Sequence, residues 1–220
     1  MCGRYTLASA PDELIETFSV PGLTFEYRPR YNIAPGQDAP VVAEDAKGRR
    51  IGLLRWGLVP SWAAEVNRGF VNARGESVGE TPSFRDGFVE RRCVVPADGF
   101  YEWRAEGQVK TPHWFHPRDG GLLSLAGIWE RWAQPGRTPH YSFAILTVEA
   151  NDDVRDVHGR MPVLLDADGR EVWLDRTSPL DAARELIVPA PSGSLASRVV
   201  SQRVYGTSDD DAALIVGVSS

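Results

Sequence analysis

Apolar and polar positions alternate in short runs along most of this chain. Valine, isoleucine, leucine and aromatic residues gather over 39–44, 50–56, 92–96, 99–104, 112–116, 122–131, 140–148, 162–165, 171–174 and 197–204, with turn residues between them. Runs this short and this rich in β-branched and aromatic residues predict strands. Helical spacing is rarer. Pro11 at a first-turn position, Asp12 and Glu13 behind it, and Leu14, Ile15 and Phe18 on one face predict a helix near 11–19. Thr81-Pro82 opens a second, with Phe84 and Phe88 one turn apart, running to Arg91 or Arg92. Ser178-Pro179 opens a third near 178–187.

The links between strands are mostly too short for parallel crossovers, which need a dozen residues or more. Ala105-Glu106-Gly107-Gln108 and Asp119-Gly120-Gly121 have the composition of hairpin turns. The expected fold is therefore α+β: a mostly antiparallel, curled or barrel-like sheet with peripheral helices. No repeat or linker divides the chain, so residues 1–220 are expected to form a single domain. Residues 132–139 are expected to be a surface loop, and Asp209-Asp210-Asp211 a solvated turn.

Composition narrows the setting. No apolar run is long enough for a transmembrane helix. Pro11, Asp12, Glu13 and Glu16 interrupt any signal-peptide core. A cytoplasmic protein that needs no membrane is expected. The two cysteines, Cys2 and Cys93, make no disulfide framework. Cys93 sits in an apolar run and is expected to be a buried small hydrophobe. The net charge of −6 argues against a sequence-blind nucleic-acid coat. The acidic excess lies in the second half, so a basic patch in the first half remains open. The basic residues are nearly all arginine, the residue suited to bidentate phosphate contact.

Cys2 directly follows Met1. Loss of Met1 would leave a thiol and a free α-amine on adjacent carbons. The two groups titrate near ~8.5 and ~8, so both nucleophilic forms are present at neutral pH. Such a 1,2-aminothiol can condense with an aldehyde to an imine and close to a five-membered thiazolidine.

Four further segments place polar residues beside aromatics and glycines. They are Arg30-Tyr31-Asn32-Ile33-Ala34-Pro35-Gly36, Val71-Asn72-Ala73-Arg74-Gly75-Glu76, Asp98-Gly99-Phe100-Tyr101-Glu102-Trp103, and His158-Gly159-Arg160-Met161-Pro162. Together with the N-terminal Met-Cys-Gly-Arg, Trp56-Gly57-Leu58-Val59-Pro60-Ser61-Trp62 and Arg92-Cys93-Val94-Val95-Pro96, they resemble the SOS response-associated peptidase (SRAP) family from Cys2 to about Val204. The resemblance implies an SRAP-like fold. It also implies binding of single-stranded DNA at an abasic site and a thiazolidine crosslink between Cys2 and the sugar aldehyde. The family's peptidase name implies autocatalytic exposure of Cys2 by loss of Met1. By the same resemblance Asn72 positions the ring or opened sugar, Glu102 is the acid/base, and His158 assists imine formation and reversal. Sugar opening and carbinolamine dehydration both need proton transfer, which a raised carboxyl or an ordinary imidazole can supply near neutral pH.

Two positions depart from the family's pattern. Gly159 stands where relatives often carry Asp between His and Arg, which puts the orientation of His158 in question. Tyr205 follows Val204 where Asn is expected. Arg4, Arg74 and Arg160 lie inside the motifs and are expected to meet backbone phosphates. Arg85, with Arg91 and Arg92, is expected either to extend that patch or to form a plain helix surface. Trp62 and Trp103 are candidates to stack on bases, at ~1–3 kcal/mol per base. The resemblance makes Pro35 a wedge between DNA ends or strands. Trp129 and Trp173 read as core.

No metal or other cofactor is expected. His113 and His116 sit three apart on a predicted strand, facing opposite sides, with no carboxylate or thiol evident near them. The expected partner is single-stranded DNA with abasic sites, bound by a monomer that is nucleoid-associated when on DNA. Two other functions fit parts of the sequence. Met-Cys-Gly also opens N-terminal-cysteine glutamine amidohydrolases, but those enzymes carry an attached domain and lack the other motifs. A non-catalytic single-stranded-DNA-binding module is the second alternative.

Overall fold

The computed structural model describes residues 2–66 and 68–218; Met1, the subject of the processing expectation, lies outside them. In chain order the elements are β1 (Tyr5–Leu7), α1 (Pro11–Phe18), β2 (Arg30–Ile33), β3 (Asp38–Asp45), β4 (Gly48–Trp56), β5 (Asn72–Arg74), α2 (Arg85–Glu90), β6 (Arg92–Ala97), β7 (Gly99–Glu106), β8 (Val109–Pro117), β9 (Leu123–Trp132), β10 (His140–Glu149), β11 (Arg160–Pro162), β12 (Leu164–Leu165), α3 (Ala167–Leu174), α4 (Leu180–Glu185) and β13 (Leu195–Val199). Short 3-10 turns follow β5 and β13 and lie near the C-terminus.

The strands form two sheets. The five-stranded sheet runs β13-β8-β7-β1-β2 and is antiparallel throughout. The eight-stranded sheet runs β11-β10-β4-β3-β6-β9-β12, with β5 added on β10. A further β9–β10 pairing closes this second sheet into a ring, though not a regular barrel. The α+β, mostly antiparallel, curled architecture expected from the pattern is therefore present. The exceptions are β4 and β5, which pair with β10 in parallel. Each reaches β10 through a long excursion, which is what a parallel pairing requires.

One buried apolar cluster joins both sheets. Tyr5, Ile33, Phe100 and Phe115 enter it from the five-stranded sheet; Val42, Trp56, Val94, Ile128 and Phe143 enter from the ring. Leu14 and Phe18 of α1 are buried in the same cluster, each worth roughly 1.5–3 kcal/mol of transfer free energy. Cys93 and Trp173 are both fully buried there, and Trp129 packs against its edge. A second small cluster, Tyr101, Trp114, Val200, Val204 and Leu214, lies on the other face of β7 and β8 under the C-terminal segment.

Four sequence expectations need correction. Residues 171–174 are not a strand but the end of α3. Asp166 caps that helix by accepting the Gly169 N–H at 2.7 Å, and Trp173 fastens it by donating to the Cys93 carbonyl at 2.9 Å. Asp119-Gly120-Gly121 is no hairpin: β8 and β9 belong to different sheets, and the turn carries the chain from one to the other. Residues 162–165 divide at Val163, whose N–H donates to Leu146 of β10 while its carbonyl accepts from Ala126 of β9. The Asp209–Asp211 run is not merely solvated. Asp210 accepts the backbone N–H groups of Tyr31 and Asn32 and pairs with Arg30, tying the C-terminal segment to β2.

No helix among the described residues is long and apolar enough to cross a membrane.

Candidate active site at the seam between the sheets

Cys2 lies immediately ahead of β1, which is held between β2 and β7. The β1 end is anchored by Asp98, whose carboxylate accepts the N–H groups of Ala8 and Ser9 and the Ser9 hydroxyl. Glu102 follows on β7, in the same sheet. Asn72 begins β5, and His158 sits just before β11; both of these strands pair with β10 of the ring. Four residues separated by up to 156 positions are thus supplied by two sheets facing one seam.

Contacts among the described residues cross that seam. Asn72 Nδ2 donates to the Cys2 carbonyl at 2.9 Å. His158 Nδ1 lies 3.8 Å from Glu102 Oε1. Asn72 Oδ1 is buried and has no hydrogen-bond partner among the described residues, leaving an acceptor in the site. Cys2 is fully buried; burial first, then the Glu102 charge, pushes its thiol pKa up. Glu102 is only 2% exposed, and burial raises its carboxyl above the usual range, with His158 opposing. The result is a neutral thiol beside a carboxyl inclined to keep its proton. His158 is 30% exposed on its side chain and accepts the Arg160 N–H at Nδ1, 3.0 Å away.

Gly159 does not leave His158 unsupported. The space a side chain would occupy at 159 is open, and the imidazole is oriented by Glu102 and the Arg160 backbone. Tyr205 also has a place. Its carbonyl accepts from Arg4 at 3.2 Å, its ring lies 6.0 Å from that of Trp103, and its hydroxyl donates to the Lys110 carbonyl.

The residues expected to meet DNA divide into two groups. Arg74, Trp62 and Pro35 are exposed, Trp62 at 65%, and Arg74 makes no hydrogen bond or ion pair among the described residues. Arg85 is exposed beside Asp86. By contrast, Arg4 is half-buried and donates to Asn32 Oδ1 and to the carbonyls of Gly3 and Tyr205. Arg160 forms a bidentate pair with Glu76 at 2.6 and 2.8 Å and donates to the Thr147 carbonyl. Trp103 is half-buried, with an indole N–H that is buried and has no hydrogen-bond partner among the described residues. Arg92 belongs to neither the patch nor the helix surface. It is buried and donates to the carbonyls of Trp173, Phe88, Val89 and Asp175. Arg91 pairs with Glu90 and Glu130.

The loop bearing Trp62 is pinned by a glycine pair. A Cβ on Gly69 would stand 2.2 Å from the Gly57 carbonyl oxygen, and one on Gly57 would stand 2.4 Å from that of Arg68. Both glycines have positive φ, at 64° and 133°. Only glycine permits this approach with that backbone.

The motif reading missed one neighbour of the site. His113 and His116 do face opposite sides of β8, but His113 has a carboxylate beside it: it is paired directly opposite Glu102 on β7. The signal was hidden because it depends on strand register across the Gly107 hairpin. Among the described residues no group of three or more metal-binding side chains is assembled.

A family model described as SOS response associated peptidase (SRAP) matches residues 1–207. This chain belongs to the SRAP family. Within that family it is similar to abasic site processing protein YoaM of Bacillus subtilis, at 38% identity over 98% of this chain and 97% of the relative. It is also similar to abasic site processing protein HMCES of Gallus gallus, at 34% identity over 87% of this chain and 67% of the relative. Among solved structures, a Bacteroides thetaiotaomicron protein superposes with a TM-score of 0.90 at 22% identity, covering 99% of this chain and 100% of its own, a likeness of fold. A phage-related protein of Bordetella bronchiseptica does so at 0.73 and 28% identity, covering 91% and 95%. Four of the SRAP motifs read from the sequence, those holding Cys2, Asn72, Glu102 and His158, supply the residues at the seam.

Proposed function

We propose that this chain processes abasic sites in single-stranded DNA by forming a thiazolidine crosslink through Cys2 once Met1 is gone. Met1 would leave by the chain's own action or that of an aminopeptidase. The observation that carries the reading is the convergence of Cys2, Asn72, Glu102 and His158 across the seam. The abasic-site names of the relatives at 38% and 34% identity support the substrate class.

The chemistry follows from the placement of the four residues, with burial favouring the protonated form of Glu102. Glu102, holding its proton, protonates the ring oxygen of the deoxyribose hemiacetal while His158 accepts the hydroxyl proton, giving the open aldehyde. The Cys2 α-amine adds to the carbonyl carbon. His158 returns its proton to the Glu102 carboxylate beside it, and the proton surplus on the added amine passes to the carbinolamine oxygen; Glu102 then protonates that hydroxyl, which departs as water and leaves an iminium. The thiol adds to the iminium carbon and its proton passes to His158. The net change is aldehyde plus aminothiol to thiazolidine plus water. Thiol and iminium belong to one residue, so ring closure is intramolecular and has a high effective molarity. Asn72 holds the Cys2 carbonyl, and its free Oδ1 is placed to accept from the opened sugar. Arg74, Trp62, Pro35 and Arg85 are exposed for contact with the strand, while Arg4, Arg160 and Trp103 would act from within the motifs.

The test uses mature protein, with loss of Met1 verified by intact mass, and single-stranded DNA bearing one abasic site. A crosslink that survives a denaturing gel, absent with intact DNA and with Cys2→Ser, is expected. No crosslink from verified mature protein would overturn the reading. Equal DNA binding by wild type and Cys2→Ser without covalent product would favour a non-catalytic binding module. Glutaminase activity would favour an amidohydrolase.

A further inference from the structure

Asn72 and Arg74 stand two apart on β5, and Arg74 is paired with Thr147 of β10. Across β10, Arg160 of β11 is paired with Glu149. Paired residues, and residues two apart on a strand, share a sheet face. Arg74 and Arg160 therefore flank β10 on the face that carries Asn72. Glu76, in the 3-10 turn that follows β5, reaches Arg160. Its carboxylate fills the end of the guanidinium, with Nη1 donating at 2.6 Å and Nη2 at 2.8 Å. Nη2 gives its second proton to the Thr147 carbonyl at 2.6 Å. The two protons left, on Nε and Nη1, lie on opposite sides of the guanidinium and form no fork. Arg160 in this arrangement has no pair of parallel donors to offer a phosphate, so one acceptor must leave before it can grip one. Thr147 is 1% exposed and its carbonyl belongs to a strand, whereas the Glu76 side chain is 53% exposed on a short turn. Arg160 first, with Arg74 in the same direction, holds the Glu76 carboxyl below the usual range, so it is an anion at neutral pH. Arg74 makes no hydrogen bond or ion pair among the described residues.

We propose that Glu76 is a stand-in for a strand phosphate and sets how well the protein discriminates between intact and damaged DNA. In the free protein it occupies the fork of Arg160. A backbone phosphate drawn in by Arg74 takes its place, and Glu76 turns out to water. The inference rests on the abasic-site reading, which brings a single strand to this face. A phosphate matches the fork geometry of a carboxylate, so the exchange keeps both charge-assisted hydrogen bonds. A half-exposed ion pair costs little to open. It is nonetheless lost each time a strand binds, so every strand is held more weakly than Arg74 and Arg160 alone would hold it. An intact strand then dissociates. A strand with an abasic aldehyde is kept by its bond to Cys2, and the weakened grip no longer matters. Glu76 touches no reacting atom; it is a specificity-determining residue. Arg160 meets His158 through its backbone N–H, which the exchange leaves in place.

The experiment measures Kd for an intact single-stranded oligonucleotide with wild type, E76Q, R160A and the double variant of the two. E76Q is expected to bind roughly two- to fivefold more tightly than wild type. Its crosslinking to abasic DNA should be more strongly inhibited by excess intact strand. The gain in affinity should vanish in the R160A background. E149Q, which removes an exposed carboxylate opposite Arg160 on the same face, should give no comparable gain. Weaker binding by E76Q would overturn the exchange and mark Glu76 as a support for Arg160. An equal gain in the R160A background, or from E149Q, would also overturn it, marking a general loss of negative charge. A wild type that binds no single-stranded DNA would sink the abasic-site reading instead. The exchange is then read with inorganic phosphate, by NMR of ¹⁵N-arginine-labelled protein. The Arg160 Nε signal, identified by its loss in R160A, should shift at lower phosphate concentration in E76Q than in wild type. A signal that moves alike in both would overturn the proposal.

Discussion

Asn72 reaches across from the ring-shaped sheet to hold the backbone carbonyl of Cys2, at 2.9 Å. Cys2, the nucleophile of the proposed reaction, is therefore positioned by its main chain, and this contact leaves its thiol unrestrained. Asn72→Ala is expected to slow crosslinking by as much as about 100-fold through misplacement of Cys2. A single hydrogen bond of this kind contributes only ~0.5–1.5 kcal/mol to stability. A melting temperature lowered by far more than that, with the rate loss in proportion, would contradict a positioning role.

Glu102 carries a pH signature. Its carboxyl is raised in the folded chain, so the folded state holds that proton more tightly than the unfolded state does. Stability contributed by the protonated form is present below the ordinary carboxylate value of 4.5 and declines as pH rises through the folded value. Glu102→Gln should accordingly match wild type in acid and gain on it as pH rises above that value. Chemical denaturation at several pH values reads the difference; a gap that shrinks with rising pH would refute it. The same variant removes a negative charge beside Cys2, and should let its thiol ionise at lower pH in a Cys93→Ala background.

Arg74 and Arg92 separate binding from folding. Arg74 is exposed and makes no hydrogen bond or ion pair among the described residues, and Arg74→Ala should leave stability within ~0.5 kcal/mol. It should weaken single-strand binding and flatten the salt dependence by about 0.7 in log-log slope. Arg92→Ala should do the reverse. It strips donors from four buried or partly buried carbonyls and is expected to cost about 3–5 kcal/mol of stability. Urea denaturation and a salt-titrated binding assay on both variants check the pair.

Asp210 is expected to fasten the C-terminal segment. Asp210→Ala removes an ion pair to Arg30 and the acceptor of two backbone N–H groups on β2, a loss of about 1–3 kcal/mol. Hydrogen exchange should rise at Tyr31 and Asn32 before it rises in the ring-shaped sheet. Uniform acceleration everywhere would show that the clasp is not local.

Much of the architecture was legible because most strands are long enough to show their pattern. The strands β3, β4, β6 to β10 and the helix α1 fall where apolar runs and caps place them. The strands β1 and β5 escaped notice: each has three residues, too few to show an alternation, and β1 is buried throughout. The helix α3 was hidden because Glu171 to Leu174 read as an apolar run, while the cap that starts it, Asp166, lies five residues earlier. Cys2, Asn72, Glu102 and His158 were legible as motif residues, but no spacing in the chain foretold that they meet. Their meeting depends on β5 and β11 both pairing with β10. The commitments of Arg4 to Tyr205 and of Arg160 to Glu76 were likewise invisible, because they join segments 201 and 84 residues apart.

The place of β1 has a mechanical consequence. Cys2 is joined through Gly3 and Arg4 to a strand flanked on both sides, by β7 and by β2. Tension on a polymer fastened to Cys2 would run along β1, loading the hydrogen bonds of both neighbours at once and in shear, instead of peeling an edge strand away bond by bond. If the proposed crosslink forms at Cys2, such a load would be shared between two neighbouring strands instead of falling on one.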